Sequence, residues 1–309
     1  MIRPLAESDL PEAQRIIRAA FGTFFGVQDL DKFQFPPYAH TRFGAENIAA
    51  FAAEDDGVLV GSNFATRWGS VAFFGPLSTR PDLWNRGLAQ PLVAAACRQF
   101  EEWGVRHSGL YTFAHSPKHV GLYGKFGFHP RFLTAIMSAP AQASAGQGWS
   151  RYAHLPPSQR QQAVDAAREL TEQLYEGLDL GGELRTVHAR QLGDTLLLWE
   201  GDSRLAGFAV CHWGPASEAG EGCLFVKFGA VRPGGKAEQR FAALLDGCGA
   251  LAAEAGMETV VATVNTAREE AYRHMLARGF RTQIQGVTMH RPNQPGYSRP
   301  GLFVLDDWR

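Results

Sequence analysis

The hydrophobic positions in the first half of the chain alternate between strand-like and helix-like spacings. Residues 71–77 form an apolar run that predicts a strand. Apolar positions then recur at steps of three and four, which predicts a helix, and they are Leu88, Leu92, Ala96, Phe100 and Trp103. Gly104 ends this helix, residues 108–114 predict a second strand, and residues 122–128 lie on a second, short helix. The predicted order is therefore strand, turn, helix, strand, helix.

The second half of the chain repeats this order. Residues 225–233 predict a strand, and a helical pattern of apolar positions then runs to Gly256. Residues 260–264 predict the next strand, and a helix that starts at Asn265 closes with Gly279-Phe280. The same succession of elements thus occurs twice in the chain.

A stretch of small and polar residues separates the two halves. Residues 139–148 combine Ala, Ser and Gln with Gly and Pro, which is typical of a linker. A length of 309 residues also favours two domains over one. We therefore predict a first domain at residues 1–140, a linker at 141–150 and a second domain at 151–309.

The turn before the first predicted helix has the features of an anion site. The first turn of a helix leaves backbone N–H groups unpaired, and the helix dipole adds partial positive charge there. Gly87 and Ala89 have little or no side chain to block a close approach, and Arg86 offers a charge-assisted bond. A small-residue helix start is also typical of tight packing alone, so the turn needs a second signal.

Two segments of the first half supply that signal. Residues 84–89 read W-N-R-G-L-A, and residues 122–128 read L-Y-G-K-F-G-F. They resemble the GNAT superfamily of acyl-CoA-dependent N-acyltransferases, which has a Q/R-x-x-G-x-G/A loop for the CoA pyrophosphate and often L-Y-x-K-x-G-F. The second motif matches throughout, whereas Trp84 stands where the family has Gln or Arg. Residues 2–5 and the helix from about residue 11 to 21 also look like the family's opening.

The resemblance implies the fold and the cofactor. It implies an α/β (α+β) chain of two tandem GNAT-like domains, each a mixed, mostly antiparallel sheet with a splayed parallel pair, flanked by helices. This layout is similar to that of mycothiol synthase and covers nearly the whole chain. The implied co-substrate is acetyl-CoA. The residues implied to bind it are Leu77, Ser78, Thr79, Trp84, Asn85, Arg86, Gly87, Leu88, Ala89 and Ser116.

Acyl transfer from a thioester also needs a group that protonates the leaving thiolate. A tyrosine at the motif position of Tyr123 takes this role in many relatives, so the resemblance implies Tyr123 as the general acid. A phenol has a proton to give at neutral pH. The alternative is that Tyr123 only packs beside Phe126 and Phe128.

The general base stays open. Many relatives carry a glutamate on the strand before the loop, but residues 70–74 include no acidic side chain. His115 is a candidate base because of its imidazole, and the resemblance also implies a hydrogen bond from this place to the CoA arm. The acidic residues 54–56 have the pattern of a solvated turn. The Arg309 carboxylate is a further option, because some multidomain relatives use the carboxylate at their own chain end.

An aromatic segment follows the first helix and lines the acceptor pocket in relatives. It implies an apolar or ring-bearing amine as the acceptor, with Asp29 and Asp31 available for a cation. Coverage of the core is the alternative interpretation of these rings. The candidate substrate residues are Phe24, Phe25, Phe35 and Tyr38.

The two halves differ at the motif positions. Aligning the Gly-Phe pairs that close the two short helices puts Met275 in the place of Tyr123. Counting on from Pro233 puts Gln239 and Phe241 at the two small positions of the loop, where large side chains block a diphosphate. We therefore predict an active first domain and a degenerate second domain that keeps the fold.

Composition narrows the class of protein. A net charge of −1 gives no field for nucleic acid or an anionic membrane. No apolar run approaches the roughly 20 residues of a membrane span, and the start lacks a signal-peptide pattern, so we expect a cytoplasmic protein. The four cysteines indicate buried free thiols, and the histidines lack metal-ligand spacing, so no metal is expected.

Two functions compete at this point. The first is an N-acetyltransferase that moves acetyl from acetyl-CoA to a primary amine of a small molecule by direct attack. The second is a non-catalytic acyl-CoA-binding or regulatory protein, which Trp84 and the missing base favour and residues 122–128 oppose. The sequence leaves the acceptor, the acyl length and the oligomeric state open, with a homodimer among the options.

Overall fold

The computed structural model describes residues 1–142, 148–201 and 204–309. Part of the predicted linker, residues 143–147, therefore lies outside the described residues. The helices are α1 (Leu10–Phe24), α2 (Tyr38–Arg42), α3 (Ala89–Glu102), α4 (Pro117–Gly124), α5 (Pro157–Glu172), α6 (Gly181–Ala189), α7 (Ala237–Glu254) and α8 (Glu269–Ala277). The strands are β1 (Ile2–Pro4), β2 (Ile48–Asp55), β3 (Val58–Trp68), β4 (Val71–Phe74), β5 (Ser78–Thr79), β6 (His107–Thr112), β7 (His129–Pro140), β8 (Trp149–Arg151), β9 (Gly193–Glu200), β10 (Arg204–Gly214), β11 (Gly220–Val231), β12 (Thr259–Asn265), β13 (Arg281–Arg291) and β14 (Val304–Asp306).

These strands form one mixed sheet. Its order is β1-β2-β3-β4-β6-β13-β7-β12-β11-β10-β9-β8, with β5 beside β3 and β14 beside β11. The pairs β4–β6 and β11–β12 are parallel. The other strand pairs in the described residues are antiparallel. A mostly antiparallel sheet with one parallel pair in each half, flanked by helices, confirms the predicted fold class.

The repeated order of elements is visible in the structure. The succession β4, α3, β6, α4 in the first half corresponds to β11, α7, β12, α8 in the second. The two short helices end alike: Phe128 N–H donates to Tyr123 O at 3.3 Å, and Phe280 N–H donates to Met275 O at 3.1 Å. The glycine before each phenylalanine has a positive φ, 79° and 85°. Met275 therefore takes the position in α8 that Tyr123 has in α4.

The loops before α3 and α7 differ in length. Helix α3 begins at Ala89, eight residues after Pro81, whereas α7 begins at Ala237, four residues after Pro233. Counting residues along the sequence from the proline therefore places the start of the second helix one turn too late.

This difference corrects the sequence alignment of the second half. Gly235 and Ala237 occupy the two small positions of the loop, not Gln239 and Phe241. Phe241 lies inside α7 with its side chain fully buried in the core. The prediction that large side chains block the second loop is wrong, because the loop and the helix start are as small there as in the first half.

The strands that follow α4 and α8, β7 and β13, each pair with the other half. Strand β13 lies between β6 and β7, and β7 pairs along its other edge with β12. Asn265 of β12 links these strands through its side chain. Its Nδ2 donates to the hydroxyl of Thr288 in β13 at 2.6 Å and to the hydroxyl of Thr134 in β7 at 3.1 Å. The predicted division at residues 141–150 stays a prediction, and the sheet itself runs across it.

The segment after β13 also crosses between the halves. Strands β11 and β12 pair up to Val226, and β14 then takes the neighbouring position beside β11, pairing with residues 228–230. The segment continues with Asp307 N–H donating to Lys227 O at 3.1 Å. One residue further along, the carbonyl oxygen of Trp308 accepts a hydrogen bond from Tyr111 N–H of β6 at 3.0 Å. The segment thus begins in the second half and reaches the first.

The remaining features concern thiols, metals and membranes. All four cysteines are free; Cys97, Cys211 and Cys248 are buried as predicted, but Cys223 is only partly buried. In the part of the chain that the structure describes, no group of three or more His, Cys, Asp and Glu side chains is arranged to hold a metal. No helix there combines the length and apolarity that crossing a membrane requires.

Candidate functional site

A cavity of about 750 Å³ lies where β4 and β6 separate, between the end of α1, the start of α3 and one face of α4. Fourteen of the sixteen residues that the sequence nominated line it: Phe24, Phe25, Phe35, Tyr38, Leu77, Ser78, Thr79, Trp84, Asn85, Gly87, Leu88, Ala89, Ser116 and Tyr123. Arg86 and His115 do not line it, and both are exposed. The structure thus brings the nominated residues together, while their individual roles stay predictions.

The loop before α3 forms a cradle of unpaired backbone donors, defined by residues 85–89. None of their five N–H groups has an acceptor among the described residues. Asn85 and Gly87 have positive φ angles, 68° and 80°, and Leu88 is right-handed, a combination that turns successive N–H groups toward one point. A Cβ on Gly87 would meet only the Gln90 amide, at 3.7 Å, so the loop is open above it. The cradle is suited to an anion.

Trp84 has a structural part in this loop. Its indole Nε1 donates to Thr79 O at 3.1 Å, which fixes the cradle to β5. The Lys118 ammonium lies 5.1 Å from its ring centroid, in cation–π contact. A tryptophan at the family's Gln or Arg position therefore anchors the loop and holds a cation from α4 beside it.

Beyond their short parallel pairing, β4 and β6 leave backbone groups unpaired. The strands pair through residues 71–73 and 107–109 and then separate. Leu77 N–H has no acceptor among the described residues, and Leu77 lines the cavity. The backbone of Arg309 lies deeper in this gap, next to Gly75. A Cβ atom placed on Gly75 would come within 2.7 Å of the Arg309 carbonyl carbon. The hypothesis that the Arg309 carboxylate is the base stays a prediction.

Tyr123 brings a phenol group into the cavity wall. Its side chain is 8% exposed, and its ring packs against Phe74 at 5.6 Å between centroids. Burial raises the pKa of Tyr123 well above 10, so the phenol keeps its proton at neutral pH.

His119 is a site residue that the sequence analysis missed. It lies one helical turn before Tyr123 on α4, so the two side chains share a face, and both line the cavity. Its Nδ1 is buried without a hydrogen-bond partner in the described residues, and burial lowers its pKa below 6.5. A neutral imidazole in the wall can accept a proton. The four-residue spacing between His119 and Tyr123 was the signal that could have found it.

Aromatic rings form the wall opposite the cradle. Phe24 packs on Phe113 at 4.8 Å between centroids, Phe25 packs edge-on against Phe113 at 5.5 Å, and Phe35 lies 5.6 Å from Tyr38. These contacts make one side of the cavity apolar. They are consistent with both sequence interpretations of the rings, the acceptor pocket and the core cover.

The two aspartates offered for a cation do not reach this wall. Asp29 pairs with Lys32 at 3.0 Å, and Asp31 lies 3.7 Å from Arg18. Both aspartates are exposed, and neither lines the cavity. Glu54 likewise bonds to Arg3 at 2.7 Å, away from the cavity. The structure therefore gives these carboxylates no contact with a ligand in the cavity.

A buried cluster of charged side chains closes the floor of the cavity and joins the two halves. Arg42 of α2 donates to both oxygens of Glu218, at 2.7 and 2.9 Å, and Lys227 donates to Glu218 at 2.9 Å. Lys227 Nζ lies 3.7 Å from Asp307, which accepts from Arg309 Nε at 2.6 Å. Glu218 and Arg309 line the cavity. Sequence reasoning missed Glu218, because its partner Arg42 is 176 residues away.

A sequence comparison identifies the class of the first half. The acetyltransferase (GNAT) family model matches residues 12–128, the range that holds the cradle, β4, β6 and Tyr123. This match agrees with the resemblance to the GNAT superfamily that the motifs carry. No curated protein matches the chain in a sequence search.

Three solved structures share the fold over nearly the whole chain. A provisionally assigned acetyltransferase from Pyrococcus horikoshii is 12% identical, covers 100% of this chain and 94% of its own, and has a TM-score of 0.69. A GCN5-related N-acetyltransferase from Sphaerobacter thermophilus is 17% identical, with 96% of each chain covered and a TM-score of 0.61. A tandem GNAT protein from the clavulanic acid pathway is 14% identical, with 94% and 97% covered and a TM-score of 0.57. The fold is therefore that of a tandem GNAT protein.

The buried cluster generates a prediction about stability. Glu218→Gln removes a charge that faces two buried cations, so we expect a loss of about 3–5 kcal/mol of unfolding free energy near pH 7. Burial alone raises the pKa of Glu218, but Arg42 and Lys227 outweigh it and hold this pKa well below 4.5. The contribution of the carboxylate is therefore present above about pH 4.5 and is lost as the pH falls toward the folded-state pKa.

Urea unfolding of both proteins at pH 7 and at about pH 4 measures this effect. Glu218→Gln should lose less stability on acidification than the wild type, because it lacks the carboxylate whose pKa is lowered. Asp82→Asn, which removes the exposed partner of Arg80, is the control and should change stability by about 0.5 kcal/mol or less. An equal loss on acidification in Glu218→Gln and the wild type would contradict the prediction.

Proposed function

We propose that this protein is an N-acetyltransferase that transfers acetyl from acetyl-CoA to the primary amine of a small molecule. The observation that carries the proposal is one cavity that joins three features. These are the cradle of residues 85–89, the unpaired edge of the first half at Leu77, and the side chain of Tyr123. The family of residues 12–128 supports the general class of reaction.

The residues present fit a CoA thioester. The five free N–H groups of the cradle and the start of α3 suit its diphosphate, and the Lys118 ammonium adds positive charge beside them. The free N–H of Leu77 suits a carbonyl of the pantetheine arm or of the thioester. Acetyl-CoA supplies the activated acetyl group, and these backbone groups would hold it.

The second half offers no equivalent edge. Strand β14 pairs with residues 228–230 of β11, the positions that follow the parallel pairing with β12. Its last short helix carries Met275, which has no proton to give, where the first half has Tyr123. These two observations support a CoA site in the first half and a degenerate second half, even though the second loop is open.

His119 and Tyr123 divide the proton transfers. The neutral imidazole of His119 accepts a proton from the amine, since an ammonium ion has no lone pair with which to attack. A C–N bond would then form as the C–S bond breaks, and the Tyr123 hydroxyl would give its proton to the leaving sulfur. The nitrogen would give up its second proton, which restores the Tyr123 hydroxyl. The aromatic wall at Phe24 and Phe113 excludes water from the acceptor side.

The site of CoA binding is tested with a matched pair of glycines. Gly87→Glu places a carboxylate in the first cradle and strains a residue with φ of 80°, so acetyl-CoA affinity should fall at least about tenfold. Gly235→Glu makes the same change at the equivalent position of the second loop and should leave affinity unchanged. Isothermal titration calorimetry with acetyl-CoA measures affinity and stoichiometry, with one site per chain expected. A loss of binding in Gly235→Glu alone would move the site to the second half.

The acid is tested by Tyr123→Phe, which removes only the hydroxyl. We expect kcat to fall by about 100-fold with acetyl-CoA affinity retained, because the leaving thiolate loses its proton donor. Release of free CoA in an amine screen measures kcat, and calorimetry measures affinity. Unchanged kcat would remove Tyr123 from the mechanism. Saturable acetyl-CoA binding by the wild type without any transfer would favour the non-catalytic alternative.

The base is tested by comparing two histidines of one segment. His119→Gln should lower kcat/KM at pH 7 by about 100-fold, because no other neutral base lines the wall near Phe24 in the described residues. His115→Gln changes an exposed ring at the rim and should change kcat/KM by about twofold or less. The pH profile of kcat/KM should lose its acidic limb in His119→Gln only. The reverse result would assign the base to His115, as the sequence predicted.

A further inference from the structure

The buried cluster at the cavity floor alternates cations and anions. In order of contact it consists of Arg42, Glu218, Lys227, Asp307 and Arg309, with successive charged atoms 3.7 Å apart or less. The first four side chains are nearly inaccessible, with exposures between 0% and 4%. Among these side chains, three cations face two carboxylates, and a charge left without a partner in such surroundings is costly.

The unused hydrogen-bond donors of the cluster lie at the Arg309 end. Glu218 is fully engaged, since Arg42 and Lys227 both donate to it. Asp307 takes a single bond from Arg309 Nε, and the structure describes no further hydrogen bond from that guanidinium. The Arg309 side chain is 27% exposed, compared with 2% for Lys227, so the open end of the cluster faces the cavity.

The surroundings of Arg309 are apolar or neutral. Its guanidinium carbon lies 5.2 Å from the Phe225 ring centroid. Burial raises the pKa of both Tyr38 and Tyr111 to about 12, so neither phenol supplies a negative charge at neutral pH. Glu218 is the only acidic side chain among the described lining residues, and its charge is already matched by two cations. No side-chain carboxylate of the described wall is therefore left for the Nη atoms of Arg309.

We propose that the Arg309 guanidinium binds a carboxylate of the acceptor, and that the acceptor is an amino acid with an apolar or aromatic side chain. The inference rests on the proposed function, since it names the acceptor of that site. A carboxylate bound at Arg309 would place a negative charge next to the last cation of the cluster. It would accept two parallel hydrogen bonds from Nη1 and Nη2 of Arg309. The rings of Tyr38, Phe35 and Phe24 provide the apolar surface for the side chain.

The proposal is tested first by binding, which does not depend on turnover. L-Phenylalanine and L-leucine are titrated calorimetrically into the full chain in the presence of CoA, which carries no acetyl group. Phenethylamine and isopentylamine, which lack only the carboxylate, are the matched controls. We expect saturable binding of the amino acids at least about tenfold tighter than that of the amines. Equal affinity within a pair, or no binding of either amino acid, overturns the proposal.

Variants of Arg309 then assign the contact. Arg309→Gln should remove the preference for the amino acids, whereas Arg309→Lys should keep part of it, since a lysine retains the charge but not the planar fork. Lys125→Gln removes the same charge elsewhere in the cavity wall and should leave the preference intact. Acetyl-CoA affinity and the urea midpoint report whether each variant is folded. A preference that survives in a folded Arg309→Gln protein overturns the proposal.

Transfer assays separate this inference from the proposed function. If acetyl groups are transferred equally to amino acids and to their decarboxylated partners, the acetyltransferase function stands and the carboxylate site is rejected. If amino acids bind through Arg309 with no transfer, the carboxylate site stands and the reaction is rejected. We expect kcat/KM for the amino acids to exceed that for the amines, and this difference to vanish in Arg309→Gln.

Discussion

The pairing of β7 with β13 at the centre of the sheet is the contact on which the rest of the structure depends. Each of these strands follows the second short helix of its repeat, α4 or α8, and each pairs antiparallel with a strand of the other half, β12 or β6. Separating the halves would expose the backbone edges of both strands at once. The exchange makes one sheet of the two repeats. The exchange also sets the separation of the two clefts. The segment after β13 can therefore pair with β11 in the second half and with Tyr111 in the first.

The asymmetry of the two clefts follows from that segment. Residues 304–306 take up the edge of β11 in the second half, while Leu77 in the first half keeps a free N–H. The helix starts carry the same small residues, since Gly235 and Ala237 match Gly87 and Ala89, although Ala237 N–H donates to Gly234 O. The difference between the two clefts is thus one of occupied backbone hydrogen bonds and of Met275, not of bulky side chains in the loop. The same segment brings Asp307 and Arg309 to the floor of the first cavity.

Local signals in the sequence predicted most of the fold and the backbone part of the site. The cradle could be predicted because Gly87 and Ala89 adjoin the first turn of α3, and a helix N-terminus has the same donors in any protein. Tyr123 could be predicted because its motif is contiguous. The alignment of the second loop failed because a loop four residues shorter changes no hydrophobic spacing. His119 was passed over because its exposure and pKa depend on α1 folding over α4.

The sequence by itself determined the order of strands and helices, the repeat, and the identity of the chemical groups in residues 84–89 and 122–128. These features depend on neighbours within a few residues, which the chain order fixes. Only the tertiary structure decided the strand exchange, the contact between Arg42 and Glu218, and the position of Arg309 in the cavity. These depend on contacts between distant residues, and a buried charge reveals its partner only when the chain has closed around both.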